Sequence, residues 1–121
     1  MPAARVRGIV PAGFLIGRSV HALEESVAAE RDGGLDYLLF GTVFATGSKP
    51  GVEPAGVERL AAVCASASLP VLGIGGMTVS SLPPVGRAGA AGFAAIGLFA
   101  GAANEALPQL LAAASSAFDT P

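Results

Sequence analysis

The sequence contains one cysteine and one histidine, and only 13% of its 121 residues are charged. The lone Cys64 excludes an internal disulfide and a multi-cysteine metal cluster, and its alanine-rich surroundings predict a buried structural thiol rather than a nucleophile. The net charge is −2 and the isoelectric point is about 5.2. The seven basic residues are scattered along the chain, so the sequence predicts no nucleic-acid partner.

A long uninterrupted apolar segment is also missing. The uncharged run Ala88–Ala103 is too short for a membrane span and is broken by four glycines. The segment Met1–Pro11 carries two arginines and has no apolar core of the kind found in signal peptides. We therefore expect no membrane partner and a cytoplasmic location.

Apolar residues are nevertheless abundant, at 52% of the chain with a mean hydropathy of +0.63. Strands buried on both faces explain part of this, because parallel sheets contain continuous apolar runs. The remainder indicates a surface that meets a partner. The length suits one domain with a modest core, and we predict a single domain over residues 1–121.

Four apolar segments have the composition of strands. They are Phe14–Ser19, Asp36–Phe40, Pro70–Ile74 and Gly92–Leu98. The 22 to 34 residues between successive starts leave room for a crossover helix each time. The pattern predicts an α/β fold of four parallel βα units, half the number in an eightfold barrel of about 250 residues.

Helices are predicted after each strand. The first should place Leu23, Val27 and Ala28 inward and turn Glu30 to solvent. Prolines limit the third to one or two turns. The later helices are predicted at Val57–Ala67, Ser80–Ala88 and Asn104–Phe118.

The loop after the second strand has the composition of an anion site. Between Gly41 and Gly51 it holds Thr46, Ser48 and Lys49. Their hydroxyls and ammonium group suit a phosphate. The same residues also suit an ordinary solvated turn, so the pattern leaves both interpretations open.

Two further strand ends carry glycine, at Gly75-Gly76 and at Ile96-Gly97. Backbone N–H groups at such ends can hold a phosphate, and glycine lets the ligand approach closely. Alternatively, glycine there only permits a tight bend.

The only histidine, His21, follows the first predicted strand, where a neutral imidazole can transfer a proton near neutral pH. An exposed histidine at the start of a helix is the alternative. Ser19 can hydrogen-bond an anion or cap the same helix.

Three segments resemble the thiamine phosphate synthase / TenI family in order and spacing. They are Ile16–Glu25 (IGRSVHALEE), Asp36–Lys49 (DYLLFGTVFATGSK) and Pro70–Met77 (PVLGIGGM). The resemblance runs from about Phe14 to Ala103 and covers the last four βα units of the family's TIM barrel. It therefore implies half of a TIM (βα)8 barrel, a role in thiamine biosynthesis, and a phosphorylated thiazole as ligand.

The family implies two activities. Its synthases join a pyrimidine diphosphate to thiazole phosphate, whereas TenI-type tautomerases move a proton to aromatise the thiazole. Ser19-Val20-His21 is closer to the TenI branch than to the Ser-Thr-His of synthases. The resemblance makes His21 the catalytic candidate, and the proposed contacts are Ser19, Thr46, Ser48 and Lys49 for the substrate and Gly75, Gly76, Ile96 and Gly97 for the phosphate.

Acidic magnesium ligands of the synthases belong to the first half of the family's barrel and have no counterpart here. The resemblance thus implies no cofactor in this chain, with Mg²⁺ expected only in a complete synthase. Three interpretations stay open: a transferase or tautomerase completed by a second half-barrel, a non-catalytic phosphate-binding module, and an inactive barrel fragment.

Four βα units leave two strand edges open. They also leave a concave face, which we predict near Val43, Leu72, Ile74 and Ile96. Exposed edges and apolar faces favour association. We therefore expect a homo-oligomer or a complementary half-barrel chain as partner.

Overall fold

The structure, a computed structural model of the chain, describes residues 2–45, 53–95, 98 and 106–119. The helices in these ranges are α1 (Ala3–Arg7), α2 (Leu23–Asp32), α3 (Gly56–Ser66), α4 (Leu82–Arg87) and α5 (Leu107–Phe118). The strands are β1 (Gly17–Val20), β2 (Tyr37–Phe40), β3 (Val71–Ile74) and β4 (Gly92–Ala94), and a 3₁₀ turn spans Val79–Ser81.

The four strands form one parallel sheet in the order β1-β2-β3-β4. Val20 pairs with Phe40, and Phe40 in turn pairs with Gly73. Each strand thus lies beside the next one in sequence, and a helix connects each pair, as β-α-β units require. This arrangement confirms the predicted α/β fold.

Two strand boundaries differ from the prediction by three residues or more, and the other differences are single residues. The first strand begins at Gly17 rather than Phe14, because the Ile16 N–H donates to the Asp36 carboxylate, 2.8 Å away, instead of to a neighbouring strand. The fourth strand ends at Ala94, and Leu98 is helical. Ile96 and Gly97 lie outside the described residues.

The core lies between the sheet and the helices. Leu38, Phe40 and Val71 on the sheet are almost fully buried, and so are Leu60 of α3 and Leu82 of α4. Burial of each such side chain stabilises the fold by about 1.5–3 kcal/mol. Cys64 is partly buried beside this core, and the burial raises the pKa of its thiol, as expected for a structural cysteine.

The opposite face of the sheet is only partly covered. Ser19 is exposed there, and Leu39 and Leu72 are half-buried. The Tyr37 ring lies across Gly17, where a Cβ atom would overlap it. This face, called the open face below, is the one that the sequence predicted to be concave and uncovered.

Helix α2 presents a different side to the core from the one predicted. Leu23 and Val27 are each 40% exposed, whereas Ser26 and Ala29 are buried. The Ser26 Oγ donates to the Leu23 carbonyl oxygen at 2.9 Å, which satisfies its hydroxyl inside the core. The prediction was wrong because small residues, not the largest apolar ones, face the sheet here.

Glu30 is also not directed to solvent as predicted. Its Oε1 accepts the N–H groups of Ser68 and Leu69 at 2.8 and 2.9 Å, and its Oε2 lies 3.2 Å from the Ser68 hydroxyl. The end of α2 is thereby tied to the loop that leads into β3.

The sequence did not predict the short helix α1, whose Arg7 reaches the start of β2. The Arg7 guanidinium lies 2.7 Å from the Asp36 carboxylate and donates to the carbonyl oxygens of Phe14 and Gly34, each at 2.8 Å. The hydrogen bonds that Asp36 accepts from Arg7 and from the Ile16 N–H lower its pKa. Asp36 therefore joins α1 and the segment before β1 to the start of β2.

The remaining helices agree in part with the sequence. Helix α4 is six residues long, and its two prolines stand in the first turn, where no intrahelical N–H is needed. Helix α5 is described from Leu107, so its predicted start at Asn104 lies outside the described residues. In the part of the chain that the structure describes, no helix is long and apolar enough to cross a membrane.

Candidate functional site

The carboxyl ends of β1, β2 and β3 lie at one edge of the sheet, because the strands are parallel and Val20, Phe40 and Gly73 are paired across them. His21 follows β1, the segment from Gly41 follows β2, and Gly75 follows β3. This edge is where ligands bind in parallel α/β sheets.

The segment after β2 is held to the end of β3 by its backbone. The Val43 N–H donates to the Ile74 carbonyl oxygen at 3.0 Å, and the Phe44 N–H donates to that of Gly75 at 3.2 Å. Val43 is fully buried in the core, so its predicted position on the open face was wrong. These bonds fix the segment where it enters the loop of the candidate anion site.

The same segment is also tied to the start of α3. The Ala55 N–H donates to the Thr42 carbonyl oxygen at 2.7 Å, and the Gly56 N–H donates to that of Val43 at 2.9 Å. The loop is therefore anchored on both sides. Its candidate contacts Thr46, Ser48 and Lys49 lie outside the described residues.

Gly75 and Gly76 form a turn that other residues cannot adopt easily. Their φ angles are +109° and +61°, values that favour glycine. A Cβ atom on Gly75 would lie 2.7 Å from the Thr42 Cγ2, and one on Gly76 would overlap the Ala45 carbonyl oxygen. Packing against the β2 segment thus accounts for both glycines. Phosphate binding at this turn stays a prediction.

His21 stands just before α2, whose N-cap is Ala22. One carboxylate oxygen of Glu25, Oε2, accepts the His21 backbone N–H at 3.0 Å and lies 3.4 Å from the imidazole Nδ1. The His21 side chain is 61% exposed. Ser19, two residues earlier, is exposed on the open face of the sheet because alternate strand residues face opposite sides.

His21 also borders a cavity of about 360 Å³ between the starts of α2 and α3. The cavity is lined by His21, Ala22, Leu23, Glu24, Phe40, Arg59 and Ala62. Strands β1 and β3 are separated by β2, which puts their ends about 10 Å apart. The structure thus brings Ser19 and His21 to the same edge as Gly75 and Gly76 without placing them in contact.

Sequence reasoning missed Glu25 as a neighbour of His21. The signal was present, because residues four apart face each other on a helix and a glutamate at the third helical position commonly reaches back to the backbone N–H groups before it. Arg59, which lines the same cavity as His21, was missed because that cavity depends on the packing of α2 on α3.

Among the described residues, no group of three or more His, Cys, Asp or Glu side chains could hold a metal ion. We assign no chemical step to a metal in this chain.

Residues 1–99 match the family described as Thiamine monophosphate synthase. The chain belongs to this family. Curated relatives include the thiamine-phosphate synthases of Coprothermobacter proteolyticus, 43% identical over 96 residues, and Methanocella arvoryzae, 44% identical over 97 residues. Each alignment covers 79% of this chain and 45% of the relative. The chain thus spans about half the length of these relatives.

Solved structures of similar fold are also matched over about half of their length. The thiamine phosphate pyrophosphorylase from Pyrococcus furiosus matches 97% of this chain and 56% of its own, with a TM-score of 0.77 and 32% identity. A structure described as native KDPGal matches with a TM-score of 0.70 at 22% identity, which shows the fold alone. Together with the four parallel strands, these matches confirm the predicted half of a TIM barrel.

Proposed function

We propose that this chain acts in thiamine biosynthesis in the cytoplasm, where it binds a thiazole phosphate and moves a proton on the thiazole through His21. The observation that carries the proposal is the register of three strand ends. It brings the family's three motif segments to one edge of the sheet, the edge at which barrel enzymes bind their substrates.

The phosphate is proposed to bind at the turn after β3 and the neighbouring loops. A turn of two glycines lets a phosphate approach the backbone closely. Ala45, the residue before Thr46, lies against Gly76. The segment with Thr46, Ser48 and Lys49 therefore continues from a point beside this turn, which supports a shared phosphate site that also includes Ile96 and Gly97.

Proton transfer is proposed for the imidazole of His21. Its ring takes a proton from one position of the thiazole and returns a proton to another, so substrate and product have the same formula and no cofactor is consumed. The exposed ring and its place after β1 support this role, since both give a ligand at the sheet edge access to it.

We further propose that a second copy of the chain completes the barrel. Within the described residues, β1 pairs only with β2 and its other edge is unpaired. Phe14 and Leu15 beside this edge are 54% and 70% exposed. A twofold axis along the barrel would bring β4 of the second copy parallel to β1 and would cover both open faces.

The only lysine offers a direct test of ligand binding. Reductive methylation with a ¹³C label keeps the charge of Lys49 and gives an NMR signal at the proposed phosphate site. We expect thiazole phosphate to shift this signal and the unphosphorylated thiazole to leave it in place. Identical responses to the two ligands would contradict a phosphate site at this loop.

Turnover separates the enzyme from the other interpretations. We expect the protein to exchange protons on the thiazole phosphate, followed by NMR in D₂O. Binding without exchange would favour a non-catalytic module, and the absence of both binding and exchange would favour an inactive fragment.

The proposed assembly is tested by the mass of the protein in solution. Light scattering at micromolar concentration should give the mass of a dimer, and a stable monomer would overturn the proposed assembly.

A further inference from the structure

The side chain of Glu25 holds His21 at two points. Its Oε2 accepts the His21 backbone N–H at 3.0 Å and lies 3.4 Å from the Nδ1 of the same residue. Both groups meet one oxygen atom, and Glu25 itself is fixed in the first turn of α2. The carboxylate is thus oriented by the helix while it faces the imidazole.

An anionic acceptor near Nδ1 determines where a neutral imidazole keeps its proton. A carboxylate can only accept a hydrogen bond, so the contact favours the tautomer with the proton on Nδ1. That tautomer leaves the lone pair on Nε2, the nitrogen farther from Glu25. In an unconstrained histidine the opposite tautomer, with the proton on Nε2, is the more populated one.

We propose that Glu25 is a positioning residue that keeps His21 in the Nδ1–H tautomer, so that Nε2 is the nitrogen that takes the proton from the substrate. The inference rests on the proposed function for its catalytic meaning. The tautomer itself is a property of the free protein and does not depend on any ligand.

A purely structural role for Glu25 is the alternative explanation of these contacts. A carboxylate in the first turn stabilises a helix through the helix dipole and through its bond to a backbone N–H. Ala22 at the N-cap has no side-chain hydroxyl or carboxylate to cap the helix, which gives Glu25 this task as well. The two roles differ in their effect on the imidazole ring, because only positioning controls its tautomer.

The test uses Glu25→Ala with Glu24→Ala as the matched control. Both variants remove one negative charge from the same turn, and no hydrogen bond joins Glu24 to His21 in the structure. Because His21 is the only histidine, long-range ¹⁵N–¹H NMR spectra report its two ring nitrogens without overlap. The spectra are recorded at alkaline pH on the unliganded protein, and circular dichroism confirms that each variant is folded.

We expect mostly the Nδ1–H tautomer in the wild type and in Glu24→Ala, and mostly the Nε2–H tautomer in Glu25→Ala. In the proton-exchange assay, Glu25→Ala should lower kcat about 10-fold with little change in KM, as for a group that orients an acid–base residue. A wild type with the proton on Nε2, or equal tautomers in the two variants, would overturn the inference. A wild type with the expected tautomer but no proton exchange would instead contradict the proposed function.

Discussion

The two ends of the sheet hold their connecting segments by different means. At the amino end, charged side chains bind the backbone: Arg7 donates to Asp36 and to two carbonyl oxygens, and Glu30 accepts two N–H groups of the loop before β3. At the carboxyl end, the segments after β2 and β3 bind each other through backbone groups at Ile74 and Gly75, and the Glu25 carboxylate accepts the His21 N–H after β1.

This difference assigns the stability of the fold mainly to residues at the amino end of the sheet and the candidate chemistry to residues at its carboxyl end. At the carboxyl end, the polar side chains of Ser19 and His21 remain exposed at the sheet edge. Where side chains hold the loops, the charged groups are already engaged by the fold. A charged residue at the amino end is therefore expected to affect unfolding, and a polar residue at the carboxyl end is expected to affect ligand binding and turnover.

Replacement of His21 by asparagine should give the largest functional effect. If this imidazole is the sole acid–base group, proton exchange should fall by about 2 to 4 orders of magnitude. The free energy of unfolding should change by no more than about 0.5 kcal/mol, because the side chain is largely exposed. Exchange kinetics and urea unfolding measure the two quantities, and equal exchange rates for variant and wild type would assign the chemistry elsewhere.

Gly33 at the amino end of the sheet and Gly76 at the carboxyl end both have positive φ, so substitutions at these positions compare the two ends. A Cβ atom on Gly76 would overlap the Ala45 carbonyl, whereas one on Gly33 would meet nothing within 4 Å. We expect Gly33→Ala to cost about 1–3 kcal/mol of backbone strain, and Gly76→Ala about 3–5 kcal/mol because overpacking is added. Equal costs in urea unfolding would mean that the β2 segment can move away from the turn.

The packing around Gly76 also limits the use of Gly76 variants as a test of phosphate binding. A substitution there disturbs the packing of the β2 segment whether or not a ligand binds. Loss of binding in Gly76→Ala is therefore not evidence for a phosphate site, and the Lys49 signal is the more specific probe.

The amino end is tested by Glu30→Ala. The variant removes the acceptor of two backbone N–H groups, so we expect a loss of about 1–3 kcal/mol in the free energy of unfolding. Glu24→Ala on the same helix should cost only about 0.3–1 kcal/mol through the helix dipole. Proton exchange in folded Glu30→Ala should match the wild type; an equally large loss of exchange would break the separation of the two ends.

The smallest effect is expected from Arg7→Met, and it depends on pH. Arg7 lowers the pKa of Asp36 in the folded state, so the pair stabilises the protein above the ordinary aspartate pKa of about 3.9. This contribution is lost as the pH falls through the lowered value. The stability difference between wild type and Arg7→Met should therefore be larger at pH 6 than at pH 3. A difference that stays constant with pH would assign the effect to the carbonyl contacts of Arg7 alone.

The sequence predicted the parts of the fold that depend on repeated local patterns. Four apolar strands at helix-sized spacing were enough for the parallel sheet. The side of α2 that faces the core was not predictable from hydrophobicity, because Ser26 is buried with its hydroxyl bonded inside the helix. Helix α1 was missed because Arg7 holds it through contacts that are distant in sequence.

The candidate site was predictable to a different degree. The motifs indicated His21 and the Gly75-Gly76 turn, and the structure brings both to one edge of the sheet. The reason for the two glycines was not visible in the sequence, since it lies in the approach of Thr42 and Ala45 from another loop. Glu25 could have been found by its spacing from His21.

The Tyr37 ring, which lies across Gly17, is an intrinsic fluorophore on the open face. Tyr37 is the only tyrosine and the chain has no tryptophan, so excitation of the protein near 280 nm reports on this one side chain. Closure of the barrel would bring a second half over the open face and change the polarity around the phenol. Tyrosine emission and its accessibility to a small quencher would thus follow assembly in real time, without any attached dye.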